Sequence, residues 1–169
     1  VIHSICQGDF VDDEPNEKKV FYSKTIDMGF SWTTPIEIDE FDQKERQVFN
    51  YGHSFGHAIE SLTNYAVPHG IAVSFGMDMA NFISVKKKYI TMQIRYEIRE
   101  LLEKIWSGYD LKDIDVEKFT LALSKDKKNV GDELRLILCK GYGKVFKDAQ
   151  CLDDEFRGWL KDYFTNELN

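Results

Sequence analysis

A chain of 169 residues and 19.7 kDa has room for one domain and little more. Its net charge of −7 argues against a nucleic-acid backbone as the main partner, and 43% hydrophobic with 14% aromatic residues excludes disorder as the dominant state. No run approaches the roughly 18 apolar residues of a membrane span. Val1-Ile2-His3-Ser4 shows neither an initiator Met nor a signal-peptide pattern, which reads as an internal or trimmed start. Cys6, Cys139 and Cys151 form no metal or redox spacing, so a reduced, cytoplasmic setting is expected.

Residues 1–45 carry the weakest pattern. Asp12-Asp13-Glu14-Pro15-Asn16-Glu17 is acidic and turn-rich, Gly29 and Pro35 interrupt the next stretch, and Glu37–Asp42 reads as a solvated acidic approach to a helix. Asn50 is expected to cap a helix reaching about Leu62, with Phe55, Ile59 and Leu62 at helical spacing. Thr63–Pro68 breaks it. Gly70 to about Lys86 reads as a second helix, rich in small residues for close packing and apolar nearly all round, hence buried. Thr91–Trp106 is the clearest amphipathic helix: Ile94, Ile98, Leu101, Leu102 and Ile105 form its stripe, and Arg95, Glu97, Arg99, Glu100, Glu103 and Lys104 lie outside it. Ser107-Gly108 ends that helix, and Asp115 to about Ser124 is a short one. Leu134–Cys139 alternates as a strand, turned by Gly141-Tyr142-Gly143. Asp153–Leu168 closes the chain as a helix with Phe156, Leu160 and Phe164 at steps of four. The pattern predicts a mostly α domain with at most a small β element.

Three of the four histidines fall between residues 53 and 69. In Gly52-His53-Ser54-Phe55-Gly56-His57, two imidazoles four residues apart share one helix face. His69 follows the Pro68 break and opens the next helix, so it can turn back toward that face. Imidazoles are good zinc ligands, and the flanking glycines permit close approach; satisfied, partly buried histidines are the competing account. A zincin protease needs Glu directly after its first His, and here Ser54 occupies that place. Ser124-Lys125-Asp126-Lys127-Lys128-Asn129 is a basic knot in an acidic chain, either an anion site or a solvated turn. Arg46 and Asn50, leading into His53, add anion and hydroxyl contacts to the same site or merely cap the helix.

The stretch Arg46-Gln47-Val48-Phe49-Asn50-Tyr51-Gly52-His53-Ser54-Phe55-Gly56-His57-Ala58-Ile59-Glu60, with His69-Gly70-Ile71-Ala72-Val73 and Gly76-Met77, resembles 3-dehydroquinate synthase and related sugar-phosphate cyclases. Asp126–Asn129 and Leu134–Leu138 resemble that family's late lysine motif and strand, and the likeness runs from about Asp39 to Cys151. The resemblance implies the helical C-terminal domain of a two-domain fold. It puts residues 1–38 in a poorly matched segment and residues 39–169 in the metal- and substrate-binding domain, the NAD-binding N-terminal domain being absent from the chain. It also implies a reaction of the shikimate pathway, toward aromatic amino acids. NAD takes hydride from a seven-carbon sugar phosphate, phosphate is eliminated, hydride returns, and ring opening with aldol closure gives the carbocycle. A divalent metal, zinc or cobalt, polarises the oxygen being oxidised.

Carried over by motif, His53 and His69 resemble two metal ligands, and His57 the histidine near the leaving phosphate that helps in proton transfer. Asn50 resembles a substrate contact, Arg46 the arginine near the substrate carboxylate, and Lys127 the phosphate lysine, with Lys128 its close alternative. The expected partner is a small sugar phosphate, not nucleic acid or membrane, and the full-length enzyme is expected to be a homodimer. Three departures stand out. The third metal ligand of the family is an upstream Glu that the chain starts too late to contain. Trp32 falls where the family carries a lysine, with Lys24 nearby, and Ile71 falls where it commonly carries Glu. A cyclase acting on a substrate without a carboxylate, such as sedoheptulose 7-phosphate, is the neighbouring alternative. A non-catalytic helical module that keeps the motif for packing or metal-dependent assembly is the alternative outside enzymes.

Overall fold

The first long helix begins later than the sequence predicts. In the structure, a computed structural model that describes residues 45–125 and 133–168, a 3-10 turn at Glu45–Asn50 precedes helix α1 (His53–Leu62). The cap position belongs to Gly52, whose φ of 79° is left-handed, so Asn50 does not cap α1. The acidic approach, Trp32, Lys24, Lys127 and Lys128 lie outside the described residues.

Helix α2 (His69–Lys86) is the centre of the domain. Every residue from Ala72 to Ser84 is buried, as its all-round apolar character predicts. It packs against α1, against α3 (Met92–Trp106) and against strand β1 (Glu133–Gly141). Close approach of α1 and α2 depends on three glycines. A Cβ on Gly76 would collide with the Gly52 carbonyl and lie 2.9 Å from the Gly56 nitrogen, while a Cβ on Gly56 would lie 3.0 Å from the Val73 Cα. Gly70, by contrast, faces open space. Gly76→Ala should therefore cost about 1–3 kcal/mol or more in chemical denaturation, because backbone rather than a flexible side chain must yield. Gly70→Ala is the matched control, and equal midpoints for the two would refute the close-contact account.

Thr91 caps α3 by accepting from the Ile94 amide, and Asp115 caps α4 (Val116–Ser124) through the amides of Glu117 and Lys118. Ile98 and Leu102 are buried as expected, but Leu101 is exposed and Arg95 is not outside the stripe. Arg95 is fully buried. Its Nε and Nη2 donate to the two oxygens of Asp78 on α2 at 3.0 and 2.9 Å, and its Nη1 donates to Glu167 at 2.5 Å. Tyr163 also donates to Asp78, at 2.9 Å, and Arg99 donates to the Glu167 carbonyl at 2.7 Å. Burial alone would lower the Arg95 pKa, yet Asp78 and Glu167 outweigh it and hold the guanidinium above its usual value. Burial, then the neighbouring Asp78, pushes the Tyr163 phenol well above 10.0, so it stays a donor.

The β element is a single antiparallel hairpin of β1 and β2 (Lys144–Cys151), with Leu138 opposite Phe146 and an irregularity between Cys139 and Gly141. The Cys139 amide donates to the Ser84 hydroxyl at 3.0 Å, fastening β1 to α2, and Lys87 donates to Gln150 at 2.9 Å and pairs with Asp148. Helix α5 (Asp154–Asp162), capped by Asp153, runs into a π turn at Tyr163–Glu167. Phe156, Leu160 and Phe164 are all buried there. Lys86 pairs with Asp162 at 2.6 Å and ties this end to α2. The described residues thus form a mostly helical domain with five α-helices and a two-stranded sheet.

Candidate functional site

The glycine contact between α1 and α2 sets the first turn of α1 against Val73–Met77, with His69 one turn before that contact. His53, His57 and Glu60 fall at i, i+4 and i+7 of α1 and so share one face. A short connection, with Asn64 and Tyr65 both at positive φ, reverses the chain, and His69 opens α2 facing them. The Tyr65 amide and the Thr63 hydroxyl both donate to the Glu60 carbonyl, at 2.8 and 3.3 Å, closing that turn.

The three imidazoles form one cluster. Ring centroids lie 5.3 Å apart for His53 and His69, 5.7 Å for His53 and His57, and 5.8 Å for His57 and His69. His53 is half-buried with its Nδ1 at 3.4 Å from the Tyr51 carbonyl, while His57 and His69 are exposed. The fourth member is Glu60, 8% exposed, whose carboxylate oxygens lie 3.1 and 3.2 Å from His69 Nδ1. Ligating atoms of His57, Glu60 and His69 all lie within 4.8 Å of one another. Imidazole nitrogens with one carboxylate are a donor set suited to zinc or a similar divalent ion.

Asn50 is half-buried at the end of the 3-10 turn, two residues before the Gly52 cap, and Arg46 lies in the same turn. Lys127 lies outside the described residues, so the basic knot is not placed against the cluster. Glu60 has no role in the reading from sequence. A signal for it exists all the same: three residues after His57, it extends the face of the histidines by one more turn. No helix among the described residues is long and apolar enough to cross a membrane.

The family described as 3-dehydroquinate synthase C-terminal matches residues 19–129. Among curated relatives, a 3-dehydroquinate synthase of Helicobacter pylori (strain P12) is 42% identical over 106 residues, covering 62% of this chain and 31% of the relative. One from Clostridium perfringens is 38% identical over 112 residues, covering 66% of this chain and 32% of the relative. The chain thus spans about a third of the length of these relatives. A crystal structure of 2-deoxy-scyllo-inosose synthase complexed with carbaglucose-6-phosphate, NAD+ and Co2+ superposes with a TM-score of 0.63 at 26% identity, covering 75% of this chain and 35% of that one. The match takes in the 3-10 turn, α1 to α4 and the whole histidine cluster, and on that extent the chain belongs to the 3-dehydroquinate synthase C-terminal family.

Proposed function

We propose that the chain is the metal- and substrate-binding domain of a cyclase that eliminates phosphate from a seven-carbon sugar phosphate, of the 3-dehydroquinate synthase kind. The observation that carries the reading is the cluster of three imidazoles from two helix starts, backed by a buried carboxylate. That donor set fits a divalent metal, zinc or cobalt, which His53 and His69 would hold. A metal bound there supplies Lewis-acid polarisation of a substrate oxygen. His57, exposed at the edge of the cluster, holds or moves a proton beside the departing phosphate. Asn50 contacts the substrate, the Arg46 guanidinium pairs with its carboxylate, and Lys127 takes the phosphate. NAD is the dinucleotide bound in the 2-deoxy-scyllo-inosose synthase structure, and the cyclase reaction needs the same hydride carrier, held by another domain. Arg46 favours a substrate bearing a carboxylate. Trp32, where a family lysine would fall, favours the second reading, a cyclase acting on sedoheptulose 7-phosphate.

The test is reconstitution. The 169-residue chain alone, with NAD and zinc or cobalt, should release no phosphate from the seven-carbon acid sugar phosphate. Joined to the N-terminal NAD-binding half of a complete relative, it should turn over, and substituting sedoheptulose 7-phosphate decides between the two substrates. Within the joined enzyme, Lys127→Ala should raise KM and lower kcat, while the exposed Lys161→Ala should change neither. Robust phosphate release by the isolated chain would mean the site is misplaced, and equal, negligible effects of both lysine changes would remove Lys127 from it.

A further inference from the structure

Glu60 is a buried carboxylate with one side-chain neighbour that matters chemically. Both its oxygens face Nδ1 of His69, at 3.1 and 3.2 Å, and its own backbone carbonyl is taken by the turn that delivers His69. A neutral imidazole carries a single proton, and a carboxylate can only accept. The proton therefore sits on Nδ1, and the lone pair is left on Nε2. Holding one ring nitrogen fixes which nitrogen is offered to a metal and raises its basicity. We infer that Glu60 is the positioning residue of His69, holding its ring in the Nδ1–H tautomer so that Nε2 is the ligating nitrogen. This rests on the reading that His53 and His69 hold a divalent ion. It assigns Glu60 a role outside the ligand set, although its oxygens lie close enough to the other donors to enter one.

Two readouts test it, one of them free of metal. At about pH 8, where an ordinary imidazole is neutral, the ring-nitrogen shifts of His69 in the 169-residue chain should show Nδ1 protonated. In Glu60→Ala the proton should move to Nε2, the site an unconstrained histidine prefers, with the circular dichroism of the helices kept. Titration with Co2+ should show affinity lowered about 10–100-fold in Glu60→Ala. Glu60→Gln, which keeps the size and one acceptor, should lose less and serves if the alanine variant fails to fold. A wild-type tautomer and unchanged Co2+ affinity in the substituted chain, beside a clear loss in His69→Ala, would overturn the inference alone. An unchanged tautomer with a Co2+ loss as large as in His69→Ala would make Glu60 a ligand and overturn it too. Unchanged Co2+ binding in His69→Ala would overturn both the inference and the metal reading beneath it.

Discussion

Arg95→Met should destabilise the domain by about 3–5 kcal/mol, because it strands the buried carboxylate of Asp78 without its two-bond cationic partner, leaving it Tyr163 and a long contact from Arg99. Asp78 and Arg95 are both fully buried, and their two parallel hydrogen bonds join α2 to α3. A domain of this kind has only about 5–15 kcal/mol in all, so the loss is a large part of the total. Urea unfolding followed by circular dichroism measures it. Adding Asp78→Leu to Arg95→Met should recover part of the loss, since removing both charges removes the stranded group, and the two substitutions should be far from additive. A cost under about 1 kcal/mol for Arg95→Met would show that water reaches the pair and that it does not hold the core.

In the joined enzyme, His53→Ala and His69→Ala should each lower kcat about a thousandfold, the kinetic equivalent of several kcal/mol of lost Lewis-acid stabilisation. Both should also lower bound metal, measured on the dialysed protein. His57→Ala should fall by roughly a hundredfold or more through lost proton transfer while metal content is kept. Neither His57 nor His69 is buried, so melting temperatures should move little and separate chemistry from folding. Activity within about tenfold of wild type in His53→Ala or His69→Ala would remove the metal from the mechanism.

Periodicity is a sound guide where one pattern rules a whole element. The all-round apolar run of α2 and the steps of four at Phe156, Leu160 and Phe164 lead to buried positions. It fails where a distant partner changes the meaning of a residue. Arg95 sits next to charged neighbours on a helix with a polar face, and only Asp78 and Glu167, far away in sequence, make its burial tolerable. Strand β2 hides for a similar reason: Lys144, Lys147 and Asp148 blur its alternation, and pairing with β1 is what orders it. The start of α1 is misleading in sequence because Asn50 has the chemistry of a cap, whereas the left-handed Gly52 has the geometry. Spacing makes the shared face of His53 and His57 legible, and the Pro68 break the return of His69 toward it, but not what the three imidazoles do. Glu60 lies on that same face one turn on, but one Glu on a charged chain gains its meaning only when the turn brings His69 over it.

The reversal between α1 and α2 also has a bearing on how the chain is born. Every donor of the cluster lies within the interval from His53 to His69, a short loop whose closure costs little entropy. Contacts between sequence neighbours form early, and those of wide separation wait for the rest of the chain. The links that seal the core, Lys86 to Asp162 and Arg95 to Glu167, belong to the second kind. On the ribosome, then, the three histidines and Glu60 are already synthesised and close in sequence while the closing helix is still being made.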